Sequence, residues 1–182
     1  SVSALAYTAR RQQAVAANLR SAWAVIGNPA TLPTLGARAL PPLPGAATEI
    51  ASVSALAPRG RVVRLDGARA DESGLARVLQ TTHPSLLHFA THGFVFDDPK
   101  QTPFLALNSR GKAGTEDGKL TLDEVYELRL ETNLVVLSAC RSGAGQVSTD
   151  GVIGLTRGFF VAGSPSVLAT FWDVVDEATA NL

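Results

Sequence analysis

The sequence predicts an α/β fold: a three-layer α/β/α sandwich on a mostly parallel sheet. Three observations predict the layered sheet. Short apolar runs alternate along the chain with segments of helical character. The runs show no in–out alternation of polar residues, as expected for strands covered on both faces. With 46% hydrophobic and 18% charged residues over 182 positions, the chain can bury a core and is not disordered.

The elements are expected in this order. Residues 1–20 are Ala-rich, with Leu5, Ala9, Gln13, Ala16 and Leu19 near helical spacing. Residues 22–27 (AWAVIG) are a short apolar run that stops at Gly27-Asn28-Pro29, which reads as a buried strand ending in a turn. Residues 28–45 hold Pro29, Pro33, Pro41, Pro42 and Pro44, so neither a helix nor a central strand is expected there, only a surface loop. Residues 46–57 read as a helix closed by Pro58, and 61–65 (RVVRL) as a strand. Residues 71–80 read as a helix with Asp71 at its start, and 85–91 (SLLHFAT) as the next strand. A short extra strand is expected at 103–107 and a Gly-rich charged loop at 111–119. Thr121 and Glu124 have capping-box spacing and predict a helix over 121–130. Residues 134–139 (LVVLSA) are the clearest buried strand. An apolar helix follows at 151–162, then a strand at 166–171 and a helix from near Asp176. No repeat interrupts this order, so one domain over 1–182 is expected.

Composition narrows the function. Sixteen Lys+Arg balance sixteen Asp+Glu, which argues against a nucleic-acid module that binds through a broad basic field. No apolar run is long enough for a membrane span and no secretory signal opens the chain. The one cysteine, Cys140, can make neither an internal disulfide nor a Cys-rich zinc site, so a reducing, cytoplasmic setting is expected. No ligand spacing supports a metal, and no phosphate-binding glycine fingerprint or other cofactor motif is present. The absence of Met, even at position 1, predicts a fragment or processed product.

In an open parallel sheet, ligands bind beyond the carboxyl ends of the strands. His92 and Gly93 follow one predicted strand there, and Cys140 to Gly145 follow another. If those strands are neighbours, about 4.8 Å apart, an imidazole and the only thiol can face one small volume. A thiolate is a good nucleophile, and an imidazole can take its proton and later protonate a leaving amine. Backbone N–H groups at Gly93 and Cys140 can hold a developing oxyanion. His88, inside a strand, and His83, in a turn before Pro84, read as structural.

His92 precedes Cys140 by 48 residues, and Ala139-Cys140-Arg141 shares the A-C-R core of the caspase motif but lacks its Gln. PSLLHFATHGF (84–94) and LVVLSACRSGAG (134–145) together resemble the CHAT domain family. So do AVIGNPA (24–30), LPGAATEI (43–50), DGKLTLDEVYELRL (117–130) and the segment 150–179. The resemblance covers nearly the whole chain. It implies a caspase–haemoglobinase-like fold and a cysteine peptidase dyad, with His92 as general acid/base and Cys140 as nucleophile. It also implies oxyanion donors at Gly93 and Cys140, a protein or peptide substrate, attached tetratricopeptide repeats or another sensor domain, and a bacterial origin. The family's chain extends beyond both ends of this one, so trimming at both ends is expected.

Specificity is less clearly written. Metacaspases carry an Asp two residues before the cysteine, where this chain has Ser138. Asp150 and Asp173, after the last two strands, are candidates for the substrate pocket and favour a basic P1 residue. A competing expectation is a catalytically silent scaffold or protein-interaction domain with the same fold.

Overall fold

The structure is a computed structural model that describes residues 22–96, 98, 100–111, 116–138 and 149–169. The chain enters through strand β1 (Trp23–Gly27), followed by a two-stranded hairpin of β2 (Thr34–Leu35) and β3 (Arg38–Ala39). Helix α1 (Pro44–Ala55) leads to β4 (Val62–Asp66), then α2 (Glu72–Thr82) and β5 (Leu86–Ala90). Short strands β6 (Gly93–Phe94), β7 (Phe104–Ala106) and β8 (Lys119–Thr121) precede α3 (Leu122–Glu127). Strand β9 (Leu134–Ser138), helix α4 (Thr149–Val161) and β10 (Val167–Ala169) complete the described chain.

The main sheet has the order β10-β9-β5-β1-β4, with every neighbouring pair parallel. Each predicted strand of this sheet is present within a residue or two of its expected bounds. The expected helix over 1–20, the end of the last strand and the helix from Asp176 lie outside the described residues.

Helices cover both faces. On one, Ala24 and Ile26 of β1, Leu87 and Phe89 of β5, and Val135 and Leu137 of β9 join the apolar sides of α2, α3 and α4 in the main core. On the other, Val25 and Ala90 pack against Ala46 and Ile50 of α1. Successive strand residues point to opposite faces, so continuous apolar runs serve both layers.

Two sequence expectations need correction, and a third, the short strand at 103–107, is present as β7 and gains its place in the fold. The 28–45 segment contains the β2–β3 hairpin and the first turn of α1, which Pro44 enters as a helix-starting residue. Its apolar residues Leu32, Leu35 and Leu40 pack on Phe94, Phe104 and Ala106, so it is a tethered flap and not simply a surface crossing. The short strand at 103–107 belongs to a separate antiparallel sheet, β6-β7-β8, whose outer members the pattern did not show because each is only two or three residues long. The helix predicted over 121–130 stops at Glu127, although its Thr121–Glu124 capping box forms as read.

Candidate active site

The carboxyl ends of β5 and β9 meet side by side. Their register pairs Phe89 with Leu137 and Ala90 with Ser138. The Thr91 amide donates to the Ser138 carbonyl at 3.4 Å, which extends that contact one residue beyond β5. His92 follows, two residues past the paired Ala90. Cys140 stands two residues past Ser138 in the sequence and lies outside the described residues.

Packing at this corner is tight. Gly27 pairs with Ala90, and a Cβ at Gly27 would lie 2.0 Å from the Ala90 carbonyl oxygen. Only glycine lets β1 approach the end of β5 this closely.

His92 is fully buried. Its backbone carbonyl accepts a hydrogen bond from the Ala106 amide at 2.8 Å, which ties the residue to β7. Thr91 donates its hydroxyl to the Ala106 carbonyl beside it. The imidazole ring tilts against Phe94 with centroids 6.1 Å apart. Its Nε2 lies 2.7 Å from the carbonyl oxygen of Pro41. A carbonyl can only accept, so Nε2 carries the proton and donates it. In the neutral ring the basic lone pair is then on Nδ1.

Pro41 was not among the residues singled out from sequence. It is 51 residues from His92, and its contribution is a backbone carbonyl, which has no side-chain signature. The one available signal was the Pro41-Pro42-Leu43-Pro44 run. Proline rings fix φ, so such a run holds its carbonyls in set directions. The flap is held in turn. Thr31 donates its amide to Asn108 Oδ1 at 2.9 Å, and the Ser109 amide donates to the Thr31 carbonyl at 2.8 Å.

Gly93 opens β6, opposite Leu105 of β7. The Ala106-to-His92 bond flanks that pair, so Gly93 occupies a non-hydrogen-bonded ladder position and its own N–H turns away from β7. Ser138 ends β9, with a buried Oγ that has no hydrogen-bond partner among the described residues. Asp150 lies in the first turn of α4, which begins at Thr149, two residues earlier than expected. Asp173 lies outside the described residues.

The other histidines hold the scaffold. His88 Nε2 lies 2.7 Å from Glu49 Oε1, and this buried pair joins β5 to α1. His83 adopts the left-handed conformation that ends α2, and its Nδ1 is 3.3 Å from Glu131. Among the described residues, no group of three or more His, Cys, Asp or Glu side chains could hold a metal ion, and no helix is long and apolar enough to cross a membrane.

A family model described as "CHAT domain" matches residues 1–182. The chain belongs to the CHAT domain family. Among curated proteins, this CHAT domain is similar to Tetratricopeptide repeat protein 28 of Mus musculus and of Homo sapiens. Each is 44% identical over 55 residues, which is 30% of this chain and 2% of the relative. The CHAT chain thus spans a very small part of the length of the relatives it matches. The five-stranded parallel sheet with helices on both faces agrees with the fold expected of a caspase-like domain.

Proposed function

We propose that this CHAT domain is a cysteine endopeptidase in which His92 and Cys140 form the catalytic dyad. The observation that carries the reading is the His92 Nε2–H donated to the Pro41 carbonyl at 2.7 Å. That bond fixes the tautomer and leaves Nδ1 as the proton acceptor for a thiol. The parallel pairing of β5 with β9 also supports it, because His92 and Cys140 each follow the Ala90–Ser138 pair by two residues.

The chemistry follows from these groups. His92 takes the Cys140 proton, and the thiolate attacks the scissile carbonyl carbon to form a C–S bond. The amide N–H groups of Gly93 and Cys140 hold the oxyanion. As the C–N bond breaks, the imidazolium returns the proton to the leaving amine. Water activated by His92 then hydrolyses the thioester and releases the thiol. Ser138, Asp150 and Asp173 are the candidates for shaping the substrate pocket, with a basic P1 residue favoured. A reducing cytoplasm suits a mechanism that needs a free thiol.

The test is alkylation of Cys140 by iodoacetamide across pH, in wild type and in His92→Ala. No other cysteine contributes signal. The expected wild-type inflection lies well below the free-thiol value of about 8.5 and is lost in His92→Ala. In parallel, Cys140→Ala abolishes cleavage of a peptide library at unchanged melting temperature. Persistent cleavage by that variant overturns the peptidase reading.

One observation favours a second reading, a domain held silent until a partner opens it. His92 is 0% exposed, so a substrate reaches it only after rearrangement. The related proteins are named for tetratricopeptide repeats. Repeats of that kind, in a parent chain or a partner, are the natural candidates for the opening signal. If so, the isolated chain cleaves slowly and the attached repeats change its turnover.

A further inference from the structure

We propose that the outer edge of β4, with α2 beside it, is a docking groove for an extended acidic segment of a partner protein, which adds to the main sheet as a further strand.

Strand β4 ends the sheet order, and among the described residues it pairs only with β1. In a parallel ladder, alternate residues of a strand turn both backbone groups to the same neighbour. The Arg61 carbonyl accepts from the Trp23 amide at 2.9 Å, and the Gly67 amide donates to the Asn28 carbonyl at 3.1 Å. Positions 61, 63, 65 and 67 therefore face β1. Val62 and Arg64 turn their N–H and C=O groups outward, where an added strand would meet them.

Sheet edges are commonly blunted by charged side chains. Here the Arg64 guanidinium is tied back to Asp66 at 3.0 Å and leaves the edge open. Alongside lies a cavity of about 300 Å³, with Val63 of β4 and Val78 of α2 among its apolar walls. Four arginines, Arg64, Arg69, Arg77 and Arg110, also line it. The acid at its wall, Asp71, is already engaged by the Gly74 amide and by Arg110. Arg69 and Arg77 are exposed and form no ion pair among the described residues, so the groove presents net positive charge. An extended chain with alternating apolar and acidic residues fits this edge: its backbone meets the outward groups, and because successive side chains turn to opposite faces, its acidic residues meet Arg69 and Arg77 on the α2 face while its apolar residues lie on the α1 face, beside Val62. A second copy of this chain does not, because two arginine-lined grooves would repel each other. This reading is independent of the dyad.

The experiment uses the whole chain and fluorescence anisotropy. The probe is a fluorescein-labelled eight-residue peptide alternating Val and Glu, with a Val/Lys peptide as its control. The Glu probe is expected to bind and the Lys probe not. Affinity should fall about tenfold or more in Arg69→Glu/Arg77→Glu, and also when salt rises from about 0.05 to about 0.3 M. Arg64→Pro removes an outward N–H together with the guanidinium paired to Asp66, and should abolish binding while Arg69 and Arg77 remain, whereas Arg64→Gln, which loses the charge and keeps the N–H, should still bind. Should that variant fail to fold, amide exchange on wild type decides: the Val62 and Arg64 amides must slow when the Glu probe binds. Equal binding of both probes, unaltered exchange at β4, or full binding by a folded Arg64→Pro overturns the proposal, the last two leaving only a diffuse polyanion patch. Concentration-dependent dimers that exclude the probe also overturn it.

Discussion

Glu72 shows how one side chain can oppose the fold that holds it. It opens α2 with both carboxylate oxygens buried. Burial first, then the charges of Glu124 and Asp117, push its pKa up to about 7 from the ordinary 4.5. The backbone N–H groups of Gly118 and Lys119 act in the other direction. A carboxyl that binds its proton more tightly when folded stabilises the native state at low pH. That contribution is lost as pH rises from about 4.5 through about 7, because the unfolded chain gives up the proton first. Glu72→Gln keeps the shape without the charge. We expect it to raise the melting temperature at pH 8 by about 2–4 °C and to change it little at pH 5, read by circular dichroism. An equal effect at both pH values would mean that the ionised carboxylate is not the cost. At the same scale, the Pro41 carbonyl sets which nitrogen of His92 is basic, and no side chain announces it.

Elements here are held at their ends. Asp71 is the N-cap of α2: its Oδ1 accepts from the Gly74 amide at 2.6 Å and its Oδ2 from Arg110 Nε at 2.6 Å. The ion pair raises the Arg110 pKa above its ordinary value, chiefly through the hydrogen bond to Asp71. Asp71→Ala removes a cap and the anchor of the 108–111 segment together. It should cost about 2 kcal/mol in urea unfolding, whereas Asp71→Asn, which keeps a capping oxygen, should cost clearly less. Equal losses in the two variants would place the stabilisation in the charge and not in the cap. The β2–β3 flap makes the complementary point. Its strands are two residues each, too short to stand alone, and they persist because Leu32, Leu35 and Leu40 pack on the small antiparallel sheet. The carbonyl that orients His92 thus depends on apolar contacts made elsewhere on the flap.

Across the whole molecule, stability is concentrated in the central strands. Phe89 of β5 is fully buried and meets Phe159 of α4 with ring centroids 5.8 Å apart. Leu168 of β10, near the other end of the sheet order, is 61% exposed. Phe89→Ala should therefore cost about 3–5 kcal/mol, and Leu168→Ala less than about 0.5 kcal/mol, both from urea midpoints at constant slope. A large loss at Leu168 would show that an element outside the described residues seals that face. The strand order has a functional consequence as well. It puts His92 at the end of β5, beside β9, and the proposed groove two strands away along β4, so occupancy of one need not block the other.

The sequence by itself determined the layered α/β class, the strands of the main sheet, the caps at Asp71 and Thr121, and the family. It also picked out His92 as the imidazole at a strand end. These are local properties: apolar periodicity, capping spacing and turn residues act within a few positions of the chain. It did not contain the order of the strands, which follows from how helices cover both faces. Nor could it show that β5 and β9 are neighbours, on which the proposed dyad depends. Strand β7 was read at 103–107, but its partners β6 and β8 and the β2–β3 flap were illegible because strands of two or three residues carry no period. The Pro41–His92 bond was hidden because backbone carbonyls are common to every residue, and only the folded path across 51 positions brings this one to the imidazole. Tertiary structure decided those features because they rest on contacts between distant segments.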